Sequence, residues 1–286
     1  MAVFERTYRR YTGDRTALES RPFVLTRYAF KDVFRSRFVV AVFALSFLVP
    51  LIGAVLIYAF NNMGALAEMG FELPEMLEAN ATFFEAIVGW QGRFAFLLAL
   101  IIGPGLVSRD LVNNALPLYL ARPLDRVGYV VGKMAVLGIL LSVTTWIPAL
   151  FLFIMQSSYA GVGWAVENIR IAGAMVGGAV LWIVLLSLLA LAMSAWVKWR
   201  TVGAFLMFMI FAAGGLFALM ANGLFSSTWG YVMDLGQLMK IVFAGLLGTP
   251  APDGPPMLVA MITLTAFMAV CVFLLDRKIR AYEVVG

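Results

Sequence analysis

Long stretches of apolar residues, uninterrupted by charge, constrain this chain more than any other feature. Five of them, 38–60, 134–155, 171–197, 202–221 and 257–275, reach or approach the roughly 20 residues that cross a hydrocarbon layer. A sixth, 94–107, is short until it is extended back through Ile87, Val88 and Trp90, which gives 87–107 and places Arg93 inside its end. Lipid offers no partner for backbone N–H and C=O groups, so each run must be helical. With 63% hydrophobic residues and a mean hydropathy of +0.94, the chain carries more apolar surface than a soluble core of this length uses. The expected fold is an all-α integral membrane domain of six transmembrane helices over 38–286, preceded by a cytosolic segment, 1–37.

The charges set an orientation. Nine Lys and Arg lie between Arg6 and Arg37, before the first span. Arg109, Arg122, Arg126 and Lys133 fall between the second and third spans, Lys198 and Arg200 between the fourth and fifth, and Arg277, Lys278 and Arg280 after the sixth. All of these share one side of the membrane, leaving Arg93, Arg170 and Lys240 for the other. Basic residues stay in the cytoplasm, so both termini are expected inside. The net charge of +5 is therefore an orientation signal and does not point to nucleic acid. Residues 1–19 are polar and charged, with no apolar core of a signal peptide.

Two segments are neither span nor simple loop. As a helix, 22–37 places Phe23, Phe30, Val33 and Phe34 on one side and a stripe of Arg27, Lys31 and Arg35 beside it. This pattern predicts an amphipathic helix lying on the cytoplasmic leaflet, or else a basic flank that serves topology alone. The stretch 222–256 holds an apolar piece, 235–247, that is too short to cross. It reads as a re-entrant or interfacial helix before the last span; a seventh span would put the basic C-terminus outside.

Composition also excludes chemistry. There is no histidine and one cysteine, Cys271, placed in an apolar run as a small core residue. Transition-metal sites lean on both residue types, and Ser–His or Cys–His nucleophile pairs need the first. Five spans carry no ionisable group, where ion-coupled carriers and proton relays place theirs. Arg93 is the exception, either snorkelling to the outer headgroups or facing a pathway at that end. A phosphate-binding loop is absent too: the nearest match, Gly128-Tyr129-Val130-Val131-Gly132-Lys133-Met134, has the wrong spacing and lacks the magnesium-binding hydroxyl. No catalytic residue, cofactor or metal site is expected in this chain.

The most informative stretch lies between the second and third spans: Asp110, the apolar 116–120, then Ala121-Arg122-Pro123-Leu124-Asp125-Arg126, Tyr129 and Gly132-Lys133. In this position the pattern resembles the membrane subunits, or permeases, of type-2 ABC transporters, mostly exporters. The six-span layout and the N-terminal amphipathic helix fit the same family. The resemblance implies a permease half that works as a dimer with a second copy or a similar permease in the cell (inner or plasma) membrane. ATP and magnesium would then sit on a separate cytosolic ABC ATPase. It also implies a coupling role for 108–133, with Arg109, Asp110, Asn113, Asn114, Leu118, Tyr119, Arg122, Pro123, Leu124, Asp125 and Arg126 at the ATPase interface. Gly103-Pro104-Gly105 just before it is a flex point or an ordinary helix end. The rival readings are a non-transporting membrane scaffold or sensor, and an ion-coupled carrier.

Overall fold

The computed structural model describes residues 21–64, 78–113, 115 and 126–279. Among these residues all regular structure is helical. Helix α1 covers Arg21–Val33. The first long apolar helix is built from α2 (Arg37–Ser46) and α3 (Leu48–Asn61), the second from α4 (Ala81–Ile102) and α5 (Gly105–Val112). The third joins α6 (Arg126–Thr144) to α7 (Trp146–Ala160), and a short α8 (Val162–Glu167) follows. Then come α9 (Ile169–Trp196), α10 (Arg200–Phe225), a 3-10 turn (Trp229–Met233), α11 (Leu235–Leu247) and α12 (Met257–Lys278).

Six of these helices are long and apolar enough to cross a membrane, from 22 to 35 residues each, and the six apolar runs of the sequence lie on them. The chain is a multi-pass membrane protein.

Helix α9 is the axis of the bundle. It packs against α4, α5, α6, α7, α10, α11 and α12. Its most apolar window is 67% buried, against 17% for α10, although both are about equally hydrophobic. Close approach to α9 depends on small residues. A Cβ on Gly103 would overlap that of Ala190, and one on Gly178 would enter the Phe243 ring.

Three of the spans are interrupted, and each interruption has a proline behind it. Proline cannot donate to the carbonyl four residues back and its ring crowds that group. Pro50 thus breaks the ladder near Phe47, Pro148 near Thr145, and Pro104 between α4 and α5. At the kinks the amides of Phe47 and Thr145 shift to Ala44 O and Ser142 O, and in a membrane the carbonyls they vacate need substitutes, which hydroxyls supply. Ser46 donates to Phe43 O at 2.6 Å, and Thr145 to Leu141 O at 2.6 Å. At Pro104 another helix joins in: Ser194 of α9 donates to Pro104 O at 2.7 Å, beside the Ser108 hydroxyl at 2.6 Å, and accepts from the amides of Val107 and Ser108, both at 2.8 Å. The sequence pointed to Gly103-Pro104-Gly105 as a flex point or a helix end; this break is pinned by Ser194.

Helix α11 is complete in itself. Asp234 caps its start, accepting from the amides of Gly236 and Gln237 at 2.9 and 3.0 Å. Gly248, at φ 77, ends it in the left-handed conformation that glycine adopts without strain. The last carbonyls receive Arg170 from the start of α9, with Nε 3.0 Å from Leu246 O and Nη2 3.0 Å from Gly245 O. Cations suit helix C-termini on electrostatic grounds. The other end of α11 lies beside Gly214 and Gly215 of α10, where a Cβ on Gly214 would collide with the Met233 carbonyl. Between α10 and α11 the chain therefore runs back alongside α10, and Leu235, Leu238, Ile241 and Val242 are buried against α9 and α12.

Candidate functional site

The segment between the second and third long helices carries most of the candidate residues, and the structure describes its two roots. Arg109 and Asp110 lie on the last turns of α5, Asn113 ends that helix, and Arg126 opens α6, exposed. Asn114, Leu118, Tyr119, Arg122, Pro123, Leu124 and Asp125 lie outside the described residues.

The two roots are clamped together. Tyr129 and Lys133 are four residues apart on α6 and so share a face. Both reach the same oxygen of Asp110: Lys133 Nζ is 2.7 Å from Oδ2, and the Tyr129 hydroxyl donates to it at 2.7 Å. The Lys133 ammonium also sits 5.6 Å from the centre of the Tyr129 ring. The side chains of Lys133 and Asp110 are only 9% and 15% exposed, and Tyr129 is fully buried. A buried lysine is tolerated because it meets a carboxylate at hydrogen-bond distance, and the carboxylate gains a second donor. Asp110, Tyr129 and Lys133 are the acidic, aromatic and lysine positions of the sequence pattern, and they form one cluster. Ser194, just above it, holds the Pro104 break from which Asp110 extends.

Helix α1 docks on this root. Thr26 Oγ1, buried, donates to Gly132 O at 2.8 Å, and Leu25, Ala29, Phe30 and Val33 pack into the core. Asp32 pairs with Arg109 at 3.2 Å, in an exposed contact (62% and 55%). The helix stops at Val33, four residues short of the expected Arg37, and a turn through Phe34, Arg35 and Ser36 leads into α2. Of the expected apolar face, Phe23 lies in the helix, Phe30 packs inward, and Phe34 is exposed yet stacks on Phe30 at 6.1 Å and meets the edge of Phe43 at 5.5 Å. Arg27, Lys31 and Arg35 are exposed. The side that docks on α6 is centred on Thr26 and Ala29, which sequence reasoning passed over because neither is large or apolar enough to mark a face. A cleft of about 340 Å³ separates α1 from α5 and the start of α10, bordered by Tyr28, Asp32, Arg109, Asn113 and Arg200.

Arg93 lies far from this cluster, on α4 towards the opposite end of the bundle. Its guanidinium stands 4.2 Å over the Trp90 ring, and it lines a cavity of about 660 Å³ between α4, α9, α10 and α11. Glu85 falls on α4 two turns before Arg93 and lines the same cavity. Lys240 of α11 lines it from across.

No protein-family model matches the chain, and no curated protein matches it either.

Proposed function

We propose that this chain is the membrane subunit of an ATP-driven exporter of the type-2 ABC class. In this reading both termini are cytoplasmic, α1 lies at the inner leaflet of the cell membrane, and α11 is a re-entrant helix in the outer half. Two such subunits, identical or similar, flank a pathway, and each rests on a separate cytosolic ATPase that holds ATP and magnesium. The chain itself performs no catalysis.

The observation that carries the reading is the clamp of Asp110 by Tyr129 and Lys133. A coupling element must pass a push from a partner to the helices it joins without dissipating it in loop motion. Rigid-body transmission of that kind requires both roots of the element to move together. The clamp ties the end of α5 to the start of α6, Ser194 ties the same point to α9, and Thr26 adds α1. A displacement applied between residues 113 and 126 thus reaches four helices through short polar contacts. The cleft between α1, α5 and α10, with side chains of both signs, supports the same reading, since transient protein contacts are polar at their rims.

The test is reconstitution with the ATPase that copurifies. The expected result is ATP-dependent transport in the wild type. Arg122→Glu combined with Arg126→Glu should leave hydrolysis running while transport stops. Recovery of no nucleotide-binding subunit, or unchanged coupling in the double variant, sinks the proposal.

A further inference from the structure

We infer that the cavity between α4, α9, α10 and α11 is a binding site for an anionic membrane phospholipid, its phosphate held by Arg93 and Lys240. This does not depend on the protein being a transporter.

The argument begins with cost. Ionisable side chains within apolar helices are expensive, and they normally pair with one another or face a cavity. Arg93 follows twelve residues after Ala81, so it is roughly 18 Å along α4 from the first residue of that helix. Among the described residues, neither Arg93 nor Lys240 has a carboxylate within ion-pair distance; Arg93 rests on Trp90, and Lys240 reaches only the amide oxygen of Gln237, at 3.5 Å. Both nevertheless line one cavity, where Glu85 is the only acidic group among the described residues. Two cations against one carboxylate leave a net positive wall, and a ligand with a compact negative charge complements it.

The remainder of the wall selects the rest of the ligand. Thr82, Glu85, Gly89, Arg93 and Phe96 recur at helical spacing on one face of α4. Opposite them an aromatic group is locked in place. Phe211 meets Phe96 at 4.7 Å and Trp182 at 5.7 Å, and the Trp182 indole N–H donates to Gly92 O at 3.0 Å. These rings are held by contacts of their own, so the cavity is preformed, and about 660 Å³ falls within the range of small-molecule sites. Charge at one part and fixed apolar rings at another describe an amphiphile.

A phospholipid is favoured over a water-soluble anion by the way in. Helix α10, which supplies Phe211, is the least buried of the six long helices. Phe211 puts one wall of the cavity on that helix, the side from which a lipid would arrive by lateral diffusion. Arg93 and Lys240 are both exposed, and the largely apolar remainder of the wall suits acyl chains better than a fully hydrated anion.

The experiment uses the full chain in nanodiscs of phosphatidylcholine doped with a photoactivatable probe, either phosphatidylglycerol or phosphatidylcholine with the same diazirine-bearing chains. Adducts are mapped by mass spectrometry on the peptides that carry Phe96, Trp182 and Phe211. One net positive charge is expected to favour the phosphatidylglycerol probe about fivefold. Arg93→Gln with Lys240→Gln should bring the ratio to about one, and Glu85→Gln should raise it. Equal labelling by both probes in the wild type overturns the proposal, as does a preference that survives loss of both cations. If the double variant does not fold, Glu85→Gln decides alone: a ratio that stays level or falls is fatal.

Discussion

The two polar regions of this bundle treat their charges in opposite ways. At the root of α5 and α6, Lys133 and Asp110 are packed out of solvent, joined at 2.7 Å and closed off by a tyrosine. Towards the other end, Arg93 and Lys240 line one cavity and have no carboxylate on them among the described residues. A charge that is already satisfied holds structure together. A charge that the fold leaves open to a cavity is available to something from outside. The contrast separates a satisfied ion pair from cations that face a cavity, within one chain.

The sharpest way to break that contrast is to remove Asp110. Asp110→Ala leaves Lys133 buried and unpaired, and the expected loss is about 3–5 kcal/mol of stability. It is read by denaturant unfolding in mixed micelles. Replacing both partners, Asp110→Leu with Lys133→Leu, should recover most of that loss, because it is the orphaned charge that is costly. Tyr129→Phe comes next. It deletes one hydrogen bond to a carboxylate and should cost about 1.5–3 kcal/mol in the same assay. Arg109→Ala removes only an exposed pair and should cost about 1 kcal/mol at most. At the far cavity, Arg93→Gln and Lys240→Gln should change stability by about 0.5 kcal/mol or less. A large loss there would mean that those cations are structural, and the distinction between the two regions would fall.

How much of this was legible in the sequence follows from the range of the interactions involved. The six long helices were legible because length and hydropathy are local properties. Their burial was not: α9 and α10 have almost the same hydropathy, yet one is the axis and the other a flank. The clamp was half legible. Asp110, Tyr129 and Lys133 stood out as a pattern, but nothing in the spacing said that two of them grip the same oxygen. Ser194 gave no signal, since a serine between Met193 and Ala195 looks like any small residue in a span. Pro50 and Pro148 are visible in the sequence but lie inside apolar runs, where length and hydropathy carry the stronger signal. Arg93 was singled out, whereas Lys240 lies far along the chain from it and joins it only through the packing of α11 on α9.

The seat of α11 has a consequence for how the protein is made. The helix is too short to enter a bilayer as a stable unit, and its end groups depend on Arg170, a residue translated 75 to 76 positions earlier. Its apolar flank is closed by α12, which is translated afterwards. Biogenesis must therefore place α9 and α10 first and hold 235–247 at the membrane surface or inside the insertion machinery until the final helix emerges. A released chain ending before Met257 would leave the flank of 235–247 that faces α12 uncovered.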